Sequence, residues 1–335
     1  MNIEKHIPFL FSPEIREELL VKPIQGDASA RRYYRISGPA GTTIACHDPQ
    51  LQERGLDDYP FFVMYELLRS HEIAVPELLA VNERTGFLLL EDCGTTHLEQ
   101  LAREVDAATV AELYREIVDL LVRLQSITGT AEKVPFSLAF DREKLLFEFD
   151  FFIEHAVNGY FSCIGATIDT TELRREFESI TEHLVRPRPF VLNHRDFQSR
   201  NIMIREGRPV VIDFQDARMG LVQYDAVSLI RDSYVVLDAE LVDELKRRHY
   251  QAVGQFGLCP TGYDEYLHLF DLMAFQRNVK ALGTFCCQTW KLHKTGYEQS
   301  IWPTLAYLPD YIEAHTELKK AGRLLQPIIE LATTR

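Results

Sequence analysis

The six cysteines of this 335-residue sequence (46, 93, 163, 259, 286 and 287) contain no C-x-x-C pair and no regular frame. That argues against both a disulfide scaffold and a zinc site, and leaves reduced thiols. No stretch approaches the roughly 18 uncharged apolar residues of a membrane span. The first twenty residues mix Glu4, Lys5, Glu14, Arg16 and Glu18 with apolar positions, so they lack the basic-then-apolar layout of a secretory signal, and the expected location is the cytoplasm. Positive charge is short as well. Against 50 Asp+Glu stand 36 Lys+Arg, a net charge of −14 with no Lys/Arg cluster, which disfavours nucleic acid as a partner. Internal repeats, low-complexity tracts and long linkers are absent.

The apolar fraction of 46% and charged fraction of 26% are those of an ordinary globular protein, and the length suffices for two lobes. Up to about residue 92 the pattern predicts short strands around one helix. Arg32 to Ser37 and Thr42 to His47 form a hairpin through Gly38, Pro39 and Gly41. A helix follows over 58–70, with Asp57 and Asp58 as candidate caps, Pro60 in the first turn and Phe61, Met64, Tyr65 and Leu68 on one face. Two more apolar runs, Leu78 to Val81 and Phe87 to Leu90, flank a turn. From Asp106 the spacing turns helical, with further helices expected around 141–160, 171–184, 224–236 and 264–283. Two short β-type runs, Pro189 to Leu192 and Pro209 to Ile212, interrupt them, and each ends at a charged motif. The expected fold class is α+β: a small β-rich lobe over 1–92 and a mainly α lobe over 93–335.

Those charged motifs carry the chemistry. The segment from Asn193 to Asn201 contains His194-Arg195-Asp196 and then, after four residues, Asn201. This is the H-R-D-x-x-x-x-N spacing of a kinase catalytic loop, and Val211-Ile212-Asp213-Phe214-Gln215-Asp216 follows a short hairpin. Phosphoryl transfer needs one carboxylate beside the attacking hydroxyl, and an amide oxygen with a second carboxylate to hold magnesium against the phosphates. Asp196 suits the first role, as catalytic base. Asn201 and Asp213 suit the second, as Mg2+ ligands. Any one of these residues alone would be an ordinary polar residue after a strand.

On these motifs the chain resembles the superfamily of aminoglycoside phosphotransferases and choline kinases, relatives of the protein kinases. Three segments narrow the resemblance to the bacterial anomeric kinases of N-acetylmuramate and N-acetylglucosamine, which act in cell-wall recycling: the run from Gly26 to Arg35, Asp213-Phe214-Gln215-Asp216-Ala217, and the run from Gln276 to Gly283. The resemblance implies a two-lobed protein-kinase-like fold, with ATP and Mg2+ as cofactors and a small-molecule acceptor. It puts a nucleotide loop at Gly26 and Ser29, where backbone N–H groups approach phosphate and Arg31 or Arg32 adds charge. It makes Leu88 to Gly94 the interlobe hinge, with Glu91 and Cys93 beside the adenine. It brings the helix bearing Gln276, Arg277 and Lys280 near the acceptor, where Arg277 joins Arg195 and Gln198 as candidate substrate contacts.

The chain departs from the protein-kinase pattern in places. Ile44-Ala45-Cys46-His47 contains no strand lysine, so Arg31, Arg32 or His47 replaces it, or phosphate is held otherwise. Glu66 is a candidate partner for such a cation. Asp216 stands where D-F-G has glycine, and either assists magnesium or holds the loop. Asp225 reads as a helix N-cap. The acidic, aromatic run from Glu148 to Glu154 reads as core with exposed carboxylates. Other acceptors (an aminoglycoside, choline, homoserine) and a nucleotide-binding regulatory pseudokinase remain as alternatives, whereas the short interval from Asp213 to Asp225 leaves little room for a protein kinase's activation loop.

Overall fold

The computed structural model describes residues 7, 10–24, 31–186 and 188–333. The chain divides into two compact units, Met1–His97 with Asn201–Asp216, and Leu98–Arg200 with Ala217–Arg335. The first unit therefore extends to His97, past the expected division at 92, and takes in a hairpin from much later in the chain.

In the first unit, β1 (Leu20–Ile24), β2 (Arg32–Gly38), β3 (Gly41–His47), β4 (Leu78–Asn82) and β5 (Phe87–Glu91) form one antiparallel sheet in the order β1-β2-β3-β5-β4. The β2–β3 turn closes with Gly38 opposite Gly41, and Gly41 takes φ of 114°, which a side chain would oppose. One sheet face buries Tyr34, Ile36, Ala45, Phe87 and Leu89 with Ile7. β1 was not anticipated, because its burial is slight and Pro23 interrupts its alternation.

The short helix α1 (Pro49–Arg54) is capped by Asp48, which accepts from the Gln50 N–H, and α2 (Pro60–Ser70) buries the four residues expected. Neither Asp57 nor Asp58 caps α2. Its N-cap is Tyr59, without a side-chain cap, and Pro60, whose missing N–H costs nothing there, takes the first position. The hairpin of β7 (Ile202–Arg205) and β8 (Arg208–Val211) completes the unit, with the Val211 N–H donating to Ala74 O at 2.9 Å.

The second unit is mainly helical: α3 (Leu98–Glu104), α4 (Ala107–Gln125), α5 (Arg142–Phe152) continuing as a π-helix over Ile153–Phe161, α6 (Thr170–Leu184), α7 (Gln223–Ile230), α8 (Ala239–Gln255), α9 (Tyr263–Cys286), α10 (Glu298–Ala306), α11 (Leu308–Ala314) and α12 (Lys319–Thr333). Asp106, Asp141, Asp169 and Asp238 each cap a helix through a side-chain oxygen. A two-stranded ladder, β6 (Val191–Asn193) with β9 (Arg218–Gly220), lies among them.

At the centre of this unit runs α9, packed on α5, α7 and α10. Every residue from Leu272 to Val279 is buried, which is why the stretch shows little amphipathic contrast. Polar Gln276, Arg277 and Asn278 lie within that stretch. Buried polar groups need partners: Gln276 donates to Glu148, Arg277 reaches Asp196, and Asn278 donates to Arg231 O and accepts from the Tyr311 hydroxyl.

Candidate active site

The β6 strand ends at Asn193 and delivers the loop that follows. Its backbone is held by two buried carboxylates. Asp225, in the first turn of α7, accepts from the His194 and Arg195 N–H groups at 2.5 and 3.1 Å, and Asp232 accepts from the Ser199 N–H at 2.9 Å. These bonds hold Arg195 at φ of 86°, a conformation that costs a non-glycine residue about 1–3 kcal/mol and persists only where its surroundings impose it. Asp225 is thus an anchor for the loop. It is not the N-cap that the sequence suggested, a position occupied by Val222. Burial raises the Asp225 carboxyl to about 7, although both N–H donors pull the other way.

Within the loop, the Gln198 N–H donates to Asp196 O at 2.9 Å, and Phe197 is buried edge-on to His194. The Asp196 carboxylate faces cations from α9. Lys280 Nζ lies 3.1 Å and Arg277 Nη2 3.5 Å from its Oδ1, while Arg195 Nε is 4.0 Å from Oδ2. Burial alone would raise this carboxyl, but Lys280, Arg277 and Arg195 outweigh it and hold Asp196 well below the usual carboxylate range. For Lys280 burial wins over the Asp196 charge, and its pKa is lowered. Arg277 also donates to the Ser228 hydroxyl from Nε, and its guanidinium sits 5.3 Å from the Tyr224 ring. Arg277 and Arg195 are therefore brought to Asp196. Gln198 is half-buried beside it in the loop.

In the first unit, the β7–β8 register pairs Ile202 with Val211, so the residues flanking the hairpin's open end meet. The Ile212 N–H donates to Asn201 O at 3.0 Å, which brings Asp213 close behind. Asp213 takes φ of 64°, and its Oδ1 accepts from Gln215 Nε2 at 2.8 Å. Phe214 is buried against Phe61 of α2, with ring centroids 5.0 Å apart. Asp216 is exposed.

Arg31 Nη1 lies 3.7 Å from Asp213 Oδ1, and its Nε donates to Asp48 Oδ2 at 2.8 Å. Asp48 is buried and also accepts from the Tyr59 hydroxyl at 2.7 Å. Burial opposes charge on Asp48, yet the bonds from Arg31, Tyr59 and the Gln50 N–H hold its pKa down. The cation that reaches Asp213 is thus Arg31, and its partner is Asp48, whereas Glu66 lies on the exposed face of α2. Arg32 is exposed and pairs in register with His47, which is buried against Phe87. Gly26 and Ser29 lie outside the described residues.

In the segment expected to form the hinge, the Glu91 N–H is taken by Glu77 O at 2.8 Å, and its side chain pairs with Arg205. Cys93 is buried with Met203 and Val210, against which Ile212 packs. Arg35 pairs with Asp92 at 2.7 Å and donates to Gly94 O at 2.7 Å, which holds the segment's end.

Among the described residues no group of three His, Cys, Asp or Glu side chains forms a metal cage. Magnesium, however, is commonly held by one or two protein oxygens together with substrate phosphates, so one carboxylate and one amide oxygen fit it.

A small antiparallel sheet, a mainly helical unit and a strand-anchored H-R-D-x-x-x-x-N loop followed by a hairpin and D-F define a phosphotransferase of the protein-kinase-like class. The sequence matches the phosphotransferase enzyme family over residues 20–263. It is 31% identical over 308 residues to the N-acetylmuramate/N-acetylglucosamine kinase of Neisseria meningitidis, covering 90% of this chain and 89% of that protein. It is likewise 31% identical over 310 residues to the enzyme of that name from Pseudomonas aeruginosa, covering 90% and 87%. Among solved structures, it resembles an ethanolamine kinase of Plasmodium vivax (TM-score 0.63, 14% identity, covering 94% of this chain and 88% of the other). It also resembles the choline kinase LicA of Streptococcus pneumoniae (TM-score 0.62, 12% identity, 93% and 100%). The chain belongs to the phosphotransferase enzyme family.

Proposed function

We propose that this protein is a cytoplasmic, ATP- and magnesium-dependent kinase that phosphorylates the anomeric hydroxyl of N-acetylmuramate or N-acetylglucosamine in cell-wall recycling. The observation that carries the acceptor class is the charge around Asp196. Three cations, Lys280, Arg277 and Arg195, lie within 4.0 Å of that carboxylate. Such surroundings repel a cationic acceptor such as choline or an aminoglycoside, and suit a neutral sugar or one bearing a carboxylate. The names of the relatives that cover most of the chain point the same way.

In this reading Asp196 accepts the proton of the sugar hydroxyl as its oxygen bonds to the γ-phosphorus, and the bond from phosphorus to the departing ADP oxygen breaks. Asn201 and Asp213 would hold magnesium, which neutralises phosphate charge when bound. Arg31, aimed by Asp48, takes the place of the missing strand lysine toward the phosphates. Gly26 and Ser29 are the further residues assigned to the nucleotide phosphates, from the resemblance alone. Cys93, Met203, Val210 and Ile212 would supply apolar contact for the adenine, and the backbone around Glu91 and Cys93 would supply its hydrogen bonds.

The test is ADP release from purified protein with ATP and magnesium, across N-acetylmuramate, N-acetylglucosamine, other sugars, choline and an aminoglycoside. Turnover is expected on the N-acetylated sugars alone, with Asp196→Asn lowering it about 10²- to 10⁴-fold while ATP binding survives. Turnover confined to a different acceptor would overturn the substrate. Unchanged activity in the variant would overturn the mechanism.

A further inference from the structure

The run from Glu148 to Glu154 does not behave uniformly. Asp150 and Glu154 are exposed, as an acidic face on a helix would be. Glu148 is only 4% exposed and turns from α5 toward α9. Its Oε2 accepts from Gln276 Nε2 at 2.9 Å. Its Oε1 has no hydrogen-bond partner among the described residues, and Lys144 Nζ stands 3.8 Å away.

Among the other buried atoms that share that condition, two stand on α9 and α7. Gln276 is 0% exposed, and its Oε1 lacks a partner. Tyr224 is 0% exposed, and so does its hydroxyl. Buried polar atoms are nearly always bonded in folded proteins, so a group of three calls for an explanation. These three also belong to the neighbourhood of Asp196. Gln276 precedes Arg277 and lies one helical turn before Lys280, both of which reach the Asp196 carboxylate. The Tyr224 ring lies under the Arg277 guanidinium. Burial, and then the Glu148 charge, holds the Tyr224 hydroxyl well above its ordinary pKa, so it remains protonated and can donate.

We propose that Glu148, Gln276 and Tyr224 form the acceptor-recognition site of the kinase. The two bare oxygens accept from hydroxyl and amide N–H groups of the sugar, and the Tyr224 hydroxyl donates to its N-acyl oxygen. Two acceptors and one donor match an N-acylated amino sugar, which carries vicinal hydroxyls, an N–H and a carbonyl. A simple deoxy sugar leaves these buried groups unpaired and is disfavoured against one that satisfies them. The inference rests on the sugar-kinase reading above and adds the residues that make the choice.

The experiment measures kcat/KM for N-acetylglucosamine, glucosamine and 2-deoxyglucose in the wild type, Glu148→Gln, Gln276→Met and Tyr224→Phe, with KM for ATP and the thermal midpoint as controls. Glu148→Gln and Gln276→Met are expected to lower kcat/KM for N-acetylglucosamine about 10- to 100-fold, chiefly through KM, and to narrow its advantage over 2-deoxyglucose. KM for ATP should stay within about twofold. Tyr224→Phe removes only an oxygen that none of the described residues bonds, so its fold is secure, and it should weaken N-acetylglucosamine while sparing glucosamine, which has no carbonyl. A wild type active on N-acetylglucosamine whose selectivity survives in all folded variants overturns this proposal and leaves the kinase reading standing. A wild type silent on N-acetylated sugars but active elsewhere overturns the reading beneath it, whatever the variants do.

Discussion

Arg31 and Asp48 are a buried ion pair in the first unit, with side chains 10% and 2% exposed. Removing one partner of such a pair strands the other charge and costs about 3–5 kcal/mol, so Arg31→Met would confuse stability with function. Arg31→Lys keeps the charge but loses the fork that bonds Asp48 with one nitrogen while another faces Asp213. Its KM for ATP is expected to rise about tenfold with a smaller change in thermal midpoint, as steady-state kinetics and a melting curve would show. A midpoint that falls while KM for ATP stays put would make the pair purely structural. Lys280 permits a sharper reading. Without it, burial acts on Asp196 against fewer opposing cations, and the carboxyl pKa rises. In Lys280→Met the acid limb of the kcat/KM profile is therefore expected to move to higher pH than in the wild type, and coincident limbs would show that Lys280 does not set the ionisation of Asp196.

At the scale of elements, the loop after β6 owes its shape to α7 and the turn beyond it. Asp225→Asn replaces one acceptor oxygen with an amide donor facing a backbone N–H, so a buried bond is lost at about 1–3 kcal/mol. Lowered turnover with unchanged acceptor preference is the expected outcome, because the loop loosens without altering what binds. The close approach of α5 and α9 depends on Gly283, where a Cβ would stand 2.9 Å from Phe152 Cα in the backbone of α5. Backbone cannot yield as a side chain can, so Gly283→Ala is expected to destabilise by about 1–3 kcal/mol in urea titration. A neutral Gly283→Ala would mean that the two helices slide apart freely.

At this scale the sequence was also most legible. The start of α4 after Asp106, the Phe61-Met64-Tyr65-Leu68 face of α2 and the β2–β3 hairpin were read from spacing, because helical periodicity and turn glycines are local. The cap assigned to Asp57 or Asp58 failed because the helix starts directly after Tyr59, and the N-cap role of Asp225 failed because its carboxylate is taken by the His194 and Arg195 N–H groups. A carboxylate near a helix start is available to distant backbone, and what lies nearby decides which it serves.

For the molecule as a whole, pH dependence is written in buried titratable groups. His249 bonds Tyr266 Oη at 2.8 Å and Gln125 Oε1 at 2.9 Å, tying α8 to α9 and α4, and burial lowers its pKa to about 3. The folded protein holds it neutral, while the unfolded chain takes up a proton below its ordinary value of 6.5. Its contribution is therefore complete above 6.5 and declines as pH falls toward 3. Asp225 acts with the opposite sign, since its raised pKa favours the folded state most below its ordinary 3.8, and that advantage fades as pH rises toward about 7. Comparing urea midpoints of the wild type and His249→Gln at pH 7.5 and 5 isolates the histidine. The variant's midpoint should depend less on acid, and equal slopes would place the acid sensitivity elsewhere.

The sequence by itself determined the fold class and singled out Asp196, Asn201 and Asp213 as candidates, because the strand-anchored loop and its hairpin are contiguous in the chain. Only the tertiary structure decided the partners: Arg31 with Asp48, Asp225 and Asp232 under the loop, Arg277 and Lys280 upon Asp196, and Glu148 turned inward from an acidic helix. Those contacts join residues 17 to more than 100 positions apart. A carboxylate reads identically in sequence whether it faces water or the interior, and it is packing that sets its desolvation and its neighbouring charges.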